Sequence, residues 1–344
     1  MKILFYNHTG TVSGAERVLS MILARLDRDC FEPVVICPEA SRMTELARKL
    51  NVRTRGLQTL ESRFTWRLNL VIRYLISFAK VMRRARRLVI DEAPDAIHAN
   101  SIRAGLVMTA ATIRLKMPII WHVHDVLPRH PLSTAIRLFA LATPRNHILA
   151  VSQTAGDRFR GTVLRIFNRR VPITVIHNAV DLERFQPNSE SRRKFRRALS
   201  LSENQPVIGI VGHLTPNKGQ LELIEAFAAI SREFSDAVLL IAGESLFNRG
   251  PDYMKSMIHA ATSLAILDRV RFLGPRDDIP ELMQALDVLV LNSRTEAFPL
   301  TALEGLASGT PVLATAVGGT PEMIRHGENG WLVQSGNQND LVHG

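Results

Sequence analysis

Two acidic residues near the end of the chain have the spacing of a polar binding site. Glu296 and Glu304 are eight positions apart, and Pro299 between them favours the start of a helix. Glu296 then lies in the loop before the helix and Glu304 lies within its first two turns, so both can face one pocket. A carboxylate accepts two hydroxyl groups at once, which suits a ribose or a sugar ring. Hydrolytic acid and base pairs are also carboxylates, so the spacing alone leaves both chemistries open.

A lysine and two glycines in the same half of the chain predict an anionic ligand. Lys218 follows a strand and a glycine turn, at the start of a helix. A cation at that helix end is unfavourable without an anion, so we expect Lys218 and nearby backbone N–H groups to hold a diphosphate. The alternative is a solvated lysine. Gly318 and Gly319 end a later strand before a turn that begins with proline, which predicts a second anion-binding backbone.

A further glycine-containing turn joins the first strand to the first helix. Residues 7–17 contain Gly10 and Gly14, and the turn either brings backbone N–H groups close to an anion or is an ordinary tight turn. The spacing is not Gly-x-Gly-x-x-Gly, and the sequence has no P-loop lysine signature. Neither of the two common nucleotide-binding fingerprints therefore applies.

Three histidines follow strands in the first half of the chain. His98, His122 and His124 are predicted on the same side of the first sheet. A zinc site needs three or four convergent ligands, and here no cysteine is near and no second His-x-His pair occurs, which argues against zinc. A histidine packed in the core is the ordinary role. His124, which precedes Asp125 at a strand tip, is instead expected to project into a cleft.

The elements that must position these residues alternate between apolar strands and helices in two series. The first series has strands predicted at 3–6, 33–37, 96–98, 119–122, 148–151 and 174–176, with helices that include 15–26, 43–50 and 64–90. The second series has strands predicted at 207–211, 237–242, 270–273, 288–291 and 312–314. This rhythm predicts two Rossmann-like, doubly wound α/β domains that face a central cleft. We predict an N-terminal acceptor-side domain at 1–187, a linker at 188–205 and a C-terminal ligand-binding domain at 206–344.

Composition restricts the cellular setting. Cys30 and Cys37 lie in one short stretch where a disulfide is geometrically poor, so two reduced thiols in a cytoplasmic protein are expected, with a redox pair as the alternative. Residues 1–187 hold 29 Lys/Arg and 14 Asp/Glu, a balance of +15, whereas residues 188–344 hold 14 and 18, a balance of −4. The first half is therefore expected to face an anionic partner.

One segment of the basic half combines aromatic and basic residues. Residues 63–87 include Phe64, Trp66 and several arginines, but charges interrupt the apolar run, so it is not a membrane-spanning helix. Such a helix either lies on an anionic membrane or is a core helix with a solvated basic end. The first reading predicts a protein that is peripheral at the inner face of the membrane and a lipid-linked acceptor.

The order and spacing of several motifs resemble those of the retaining family-4 glycosyltransferases, also called group 1, which have the GT-B fold. In the second half, the resemblance rests on Glu296-x7-Glu304, on Ala-Ser-Gly-Thr-Pro-Val at 307–312, on Gly318-Gly319-x-x-Glu322 and on Gly327-x-Asn329-Gly330. In the first half, it rests on segments at 13–17, 94–98, 124–125, 151–152 and 177–181. The resemblance covers nearly the whole chain.

The resemblance implies a nucleotide diphosphate sugar donor, of UDP or GDP type, held mainly by the second domain. Glu304 would bind ribose hydroxyls, Glu296 the transferred sugar, and Lys218 the diphosphate. The remaining residues of the implied donor site are Gly14, His124, His213, Phe298, Pro299, Leu300, Gly318 and Gly319. His124, Glu296 and Lys218 would serve the reaction, a front-face transfer with retention that needs neither an enzyme nucleophile nor a metal. The acceptor would be a carbohydrate or a lipid-linked molecule in polysaccharide, lipopolysaccharide or glycolipid assembly.

Four departures from the family pattern keep other functions open. His213 stands where arginine is usual, Ala179 where glycine is usual, and Asn100 where a second histidine is common. The chain ends at Gly344 where relatives continue with further helices, from which a truncated product is expected. The alternatives are a nucleotide-sugar epimerase on the same fold and a degenerate, non-catalytic nucleotide-sugar-binding protein. Nucleic-acid binding through the basic half is disfavoured because no known RNA or DNA module is recognised.

Overall fold

The computed structural model describes residues 1–59, 68–166, 171–245 and 250–344. It divides into two compact units, Met1–Asn178 and Ala179–Gly344, which we call unit 1 and unit 2. Each unit contains its own hydrophobic core on the two faces of a parallel sheet. Two doubly wound Rossmann-like units in one chain confirm the predicted GT-B class. No described helix is long and apolar enough to cross a membrane.

Unit 1 is built on a seven-stranded parallel sheet within the described residues. The strands are β1 Lys2–Tyr6, β2 Glu32–Cys37, β3 Arg53–Gly56, β4 Ala96–Ala99, β5 Ile119–Val123, β6 Asn146–Ala150 and β7 Ile173–Val175. The helices are α1 Gly14–Arg25, α2 Arg42–Lys49, α3 Leu68–Glu92, α4 Ile102–Thr112, α5 Pro131–Ala140 and α6 Gln153–Ile166. The strand order is β3-β2-β1-β4-β5-β6-β7, so the direction of winding reverses between β1 and β4. Ligands of such sheets bind at the carboxyl ends of the strands beside this reversal.

The described residues of unit 2 form a six-stranded parallel sheet, also with helices between its strands. The strands are β8 Val207–Val211, β9 Val238–Ala242, β10 Val270–Gly274, β11 Val288–Leu291, β12 Val312–Thr315 and β13 Trp331–Val333. The helices are α7 Ser189–Ala198, α8 Gln220–Ile230, α9 Gly250–Ser263, α10 Ile279–Ala285, α11 Leu300–Ala307 and α12 Gln338–His343, and two single 3₁₀ turns occur at Leu267–Arg269 and Thr320–Glu322. The strand order is β10-β9-β8-β11-β12-β13, which puts the reversal between β8 and β11.

Most strands coincide with the sequence prediction because strands of a parallel sheet that are covered on both faces are continuous apolar runs. The strands β3 and β13 were not predicted. Strand β3 has the sequence Arg-Thr-Arg-Gly with mostly exposed side chains, and β13 has only three residues, so neither carries the apolar signal. The helix predicted at 64–90 is observed from Leu68 to Glu92, and the predicted residues 64–67 lie outside the described residues.

The segment expected to be a linker, 188–205, contains helix α7 and belongs to unit 2. Two arginines of helix α7 hold it there, because their side chains contact Asp287 and backbone oxygens of unit 2. Arg196 is 1% exposed and donates to the backbone oxygens of Ala285, Ser202, Glu203 and Gln205. Arg192 and Arg196 both contact the carboxylate of Asp287, at 2.5 and 2.7 Å. A run of basic residues that would be expected on the surface therefore includes two arginines, Arg192 and Arg196, that fasten the helix to unit 2.

Candidate functional site

Two loops at the β8–β11 reversal of unit 2 are bonded directly to each other. The loop after β8 carries Asn217, and the loop after β11 carries Arg294 and Thr295. The Asn217 amide accepts from the Thr295 hydroxyl at 2.9 Å and donates to the Thr295 carbonyl at 3.2 Å. The Arg294 N–H donates to the Asn217 carbonyl at 2.8 Å. These bonds fix the two loops as one surface at the carboxyl edge of the sheet.

The paired loops bring Lys218 and Glu296 into contact. The Lys218 ammonium lies 2.5 Å from Glu296 Oε1, with side chains 26% and 11% exposed. The buried Ser293 hydroxyl donates to the same carboxylate oxygen at 2.6 Å. The lysine and one of the two predicted carboxylates thus share one partly buried position, in which a charged pair is screened less by water than on an open surface.

Glycines give the site a bare backbone. Gly318 follows β12 with φ of 55°, and a Cβ added there would lie 1.5 Å from the Glu296 carbonyl oxygen. The Gly319 N–H donates to the same oxygen at 3.4 Å. On the other side, Gly212 has φ of 154°, and a Cβ added there would lie 3.7 Å from Cε of Lys218. Lys218, Glu296, Gly318 and Gly319 therefore form one cluster across the ends of β8, β11 and β12, as the sequence predicts.

The other predicted donor residues of unit 2 lie on the elements that flank this cluster. His213 is half-buried, and its backbone oxygen accepts from the Gln220 amide at 2.9 Å. Phe298 and Pro299 are buried at the start of α11, Leu300 is its first residue, and Glu304 is 5% exposed within it. Glu304 thus lies within the first two turns of a helix that begins at Leu300, as predicted from Pro299.

The carboxyl ends of β1, β4 and β5 in unit 1 form a second polar cluster. Asn100, which is fully buried, donates to Asn7 Oδ1 at 3.0 Å and to the Ala15 carbonyl at 3.2 Å. His124 Nε2 lies 3.1 Å from Asn100 Oδ1. Gly14 is exposed as the first residue of α1, one position before Ala15. One buried amide thus bonds both to His124 and to Ala15, the residue after Gly14.

Three histidines of unit 1, at 98, 122 and 124, pack against one another, and burial lowers the pKa of each. His98 Nε2 lies 3.1 Å from His122 Nδ1, and the rings of His122 and His124 are 4.0 Å apart. Burial lowers the pKa of His98 to about 4, and burial followed by repulsion from His98 lowers the pKa of His124 to about 3. Near neutral pH these two rings therefore carry no charge. Among the described residues, no group of three or more His, Cys, Asp or Glu is arranged to hold a metal ion.

Sequence reasoning missed the small polar residues that orient the charged ones. Ser293, Asn217 and Asn7 were not singled out, and Asn100 was noted only as a departure from the family pattern. Each comes within a few residues of the end of a parallel strand beside a winding reversal, where polar side chains face a ligand. That position is the signal that could have identified them.

Comparison with known proteins decides the family. The model of Glycosyltransferase Family 4 matches residues 12–184, and the model of Glycosyl transferases group 1 matches residues 191–344. The chain belongs to the family-4, group 1 glycosyltransferases. This confirms the resemblance drawn from the motifs.

Two curated relatives of this chain are named D-inositol 3-phosphate glycosyltransferase. The one from Salinispora tropica is 38% identical over 260 residues, which cover 70% of this chain and 53% of the relative. The one from Corynebacterium glutamicum is 36% identical over 167 residues, which cover 47% of this chain and 39% of the relative. The chain thus spans about half, or less, of the length of these relatives.

Solved structures also resemble the whole chain. Anabaena HepE, solved in complex with UDP and glucose and in complex with UDP-glucose, is 28% identical and has a TM-score of 0.80. The match covers 100% of this chain and 88% of HepE. Sucrose-phosphate synthase from Thermosynechococcus elongatus has a TM-score of 0.77 at 19% identity, a likeness of fold alone.

Proposed function

We propose that this chain is a retaining, metal-independent glycosyltransferase that takes a sugar from a UDP-sugar. The observation that carries the proposal is the Lys218–Glu296 pair against the Gly318–Gly319 backbone. An ammonium, a backbone without side chains and a carboxylate together suit a ligand with a diphosphate at one end and hydroxyl groups at the other. The binding of UDP and UDP-glucose by HepE supports UDP over GDP.

In the proposed mechanism, the chain positions the donor and stabilises the leaving diphosphate. Lys218 balances the charge that develops on the phosphate oxygen as the glycosidic bond breaks. Glu296 accepts hydrogen bonds from sugar hydroxyls, and Glu304 accepts those of the ribose. His124, which is neutral, acts near the sugar without adding charge. The acceptor hydroxyl attacks the same face and passes its proton to the leaving phosphate oxygen, so no enzyme nucleophile takes part.

A donor screen by thermal shift tests the binding half of the proposal. We expect UDP-glucose or another UDP-sugar to raise the Tm more than GDP-mannose does, and Glu304→Ala to abolish this rise while the circular dichroism spectrum stays unchanged. Glu328→Ala, which removes an exposed carboxylate, is the matched control and should keep the full shift. A full donor-induced shift in Glu304→Ala would contradict the role assigned to Glu304.

A transfer assay tests the reaction. Labelled sugar should pass to an added acceptor with the anomeric configuration of the donor retained, in the presence of EDTA, as read from the proton NMR coupling of the product. The acceptor panel includes inositol phosphates, because the curated relatives carry that name, together with lipid-linked saccharides. Isomerised donor without transfer would favour the epimerase alternative, and donor binding without either reaction would favour the degenerate binding protein.

The exposed face of α3 supports a second proposal, that unit 1 docks on an anionic membrane. Ile72, Leu75 and Ile76 are each about half exposed near the start of the helix. The exposed basic residues further along it are Arg73, Lys80, Arg83, Arg84 and Arg87. The opposite face, with Tyr74, Phe78 and Met82, packs on the core of unit 1. Apolar insertion next to basic side chains is the pattern of an interfacial helix.

Liposome flotation tests the membrane proposal. We expect the chain to float with vesicles that contain phosphatidylglycerol, and not with neutral vesicles, and to dissociate as salt is raised because each basic residue contributes about 1 kcal/mol near the surface. Arg83→Glu/Arg87→Glu should abolish flotation. Arg193→Glu/Arg197→Glu, an equal change of charge at exposed positions of α7, should not. Absence of binding to anionic vesicles at low salt would refute the proposal.

A further inference from the structure

Asn100 stands at the centre of a hydrogen-bond chain that joins three strand ends of unit 1. It follows β4, is fully buried, and contacts Asn7 after β1, Ala15 in α1 and His124 after β5. Asn7 is fully buried as well, and its amide donates to the Thr9 carbonyl at 2.7 Å. A buried amide that satisfies partners on three elements is in a position to fix how each of them is oriented.

The donor and the acceptor of each hydrogen bond in this series can be assigned from the two backbone carbonyl groups at its ends. A carbonyl oxygen only accepts, so the Asn100 group that contacts Ala15 O must be the NH₂. The Asn7 group that contacts Thr9 O must likewise be its NH₂, which leaves Asn7 Oδ1 to accept from Asn100. Asn100 Oδ1 then faces His124. An oxygen without hydrogen can only accept, so His124 Nε2 must carry the proton.

The neutral state of the ring completes the assignment. A neutral imidazole carries one N–H, and burial keeps His124 neutral by lowering its pKa to about 3. With the proton on Nε2, Nδ1 presents a lone pair. The ring therefore offers an acceptor on the side away from Asn100.

We infer that Asn100 is a positioning residue that holds His124 in its Nε2–H form, so that Nδ1 accepts a hydrogen bond from a hydroxyl group of the donor sugar. The tautomer is a property of this chain alone, whereas the hydroxyl partner rests on the proposed function. The same amide binds Ala15, the neighbour of Gly14, and so couples the turn expected near the phosphates to the ring expected near the sugar.

Asparagine has the number of hydrogen-bond donors and acceptors that this position requires, whereas histidine does not. The site asks for two donated hydrogen bonds, to Asn7 and Ala15, and one accepted bond, from His124. A primary amide supplies two N–H groups and an oxygen in one rigid plane, and a neutral imidazole supplies one donor and one acceptor. Asn100 departs from the family pattern, and Asn7 provides a partner for it, because the Asn7 side-chain oxygen accepts one of the two hydrogen bonds that Asn100 donates.

Nitrogen NMR of the full chain, labelled with ¹⁵N-histidine, tests the tautomer directly. The His124 ring is identified by the signals that disappear in His124→Gln. In the unsubstituted chain we expect Nε2 at the shift of a protonated ring nitrogen and Nδ1 at that of an unprotonated one. The opposite pattern would overturn the inference whatever the activity.

Substitution of Asn100 tests the positioning role. Asn100→Asp replaces the donating NH₂ with oxygen and adds a negative charge beside the ring, so the pKa of His124 should rise and its nitrogen signals should titrate at a higher pH than in the unsubstituted chain. Asn100→Ala removes the acceptor and should give a mixture of tautomers. Asn146→Asp is the control, because Asn146 is also a buried amide but binds Thr109 and Ala140 at the start of β6. It should leave the His124 signals unchanged.

The kinetic readout separates positioning from loss of structure. Asn100→Ala should raise KM for the donor and lower kcat/KM on the order of tenfold, as expected for one hydrogen bond, with a shifted pH profile. Unchanged His124 signals in both Asn100 variants would overturn the inference. Changed signals in a chain that transfers no sugar would refute the proposed function and leave the tautomer assignment standing.

Discussion

At the scale of single residues, the contacts of Glu296 lead us to expect two opposed effects on ligand binding. Its carboxylate balances Lys218 at 2.5 Å and receives the Ser293 hydroxyl at 2.6 Å. A diphosphate that binds Lys218 therefore comes close to a negative carboxylate, whereas the hydroxyl groups of a sugar gain an acceptor there. Under the proposed function, we therefore expect the pair to discriminate between a complete sugar donor and the nucleotide product that lacks the sugar.

This discrimination predicts opposite effects of one substitution. Glu296→Gln removes a negative charge beside the diphosphate, so the Kd for UDP should fall about tenfold, while the Kd for the UDP-sugar should rise because an amide is a poorer acceptor. Isothermal titration calorimetry measures both. Glu328→Gln, in an exposed pair with Arg325, is the control and should change neither. Weaker binding of both ligands to Glu296→Gln would disprove the opposed roles.

A glycine substitution tests the contact between the Gly318 backbone and Glu296. Gly318→Ala introduces a methyl group 1.5 Å from the Glu296 carbonyl in addition to the strain of a positive φ, and should cost at least about 2 kcal/mol in the free energy of unfolding. Gly327→Ala has a similar φ of 76° with no atom within 4 Å of the added Cβ, and should cost about 1 kcal/mol. Urea titrations of the two variants give the difference in free energy of unfolding that is due to the contact with Glu296. Equal losses in the two variants would mean that the loop moves to accommodate the methyl group.

The sequence identifies those site residues whose own chemistry is distinctive. Glu296, Lys218 and the Gly318–Gly319 pair were singled out from charge, spacing and backbone freedom, and the family resemblance supplied their expected roles. Ser293 and Asn217 could not be predicted in the same way, because a serine or an asparagine in a loop is ordinary turn chemistry. Their importance arises only when β8 and β11, which are far apart in the chain, become neighbours in the sheet.

At the scale of elements, the main correction concerns α7. Its basic side chains resemble a solvated linker, yet Arg192 and Arg196 bind Asp287 and anchor the helix to unit 2. The sequence cannot reveal this because Asp287 lies far along the chain. The strands β3 and β13 escaped prediction for a different reason, since edge strands need little apolar surface.

The buried contacts of Arg196 predict that its substitution strongly lowers the free energy of unfolding. Arg196→Met keeps the length of the side chain but removes one of the two arginine partners of Asp287 and leaves several backbone oxygens without their donor. Unfolding of unit 2 should therefore become easier by about 3 kcal/mol. Arg197→Met, at an exposed neighbouring position, should change stability by less than about 0.5 kcal/mol. Urea unfolding followed by circular dichroism gives both values. A small loss in Arg196→Met would show that these contacts are dispensable.

At the scale of the whole molecule, the two units are expected to respond differently to acid. His98 and His124 have pKa values of about 4 and about 3 in folded unit 1, against 6.5 for a free histidine. Below pH 6.5 the unfolded chain therefore binds protons that the folded unit does not, and stability falls as pH decreases from 6.5 towards 4. Each such histidine contributes a slope of at most about 1.4 kcal/mol per pH unit.

Hydrogen exchange with mass spectrometry measures this acid response in the intact chain. Between pH 7 and pH 5, after correction for the intrinsic exchange rate, peptides from β4 and β5 should lose protection. His98→Gln should reduce the loss, whereas His343→Gln, at an exposed position of unit 2, should not. Equal protection of β4 and β5 at the two pH values would contradict the buried neutral histidines.

The bonds between Asn217 and Thr295 also constrain how such a site can change over time. The loops carrying Lys218 and Glu296 are bonded to each other through side chains and main chain alike, so we expect each loop to require the other. A chimaera that takes only one loop from a relative is expected to lose the hydrogen bonds between the loops and to displace Lys218 from Glu296. Recombination that alters the specificity of this protein is therefore expected to exchange both loops together.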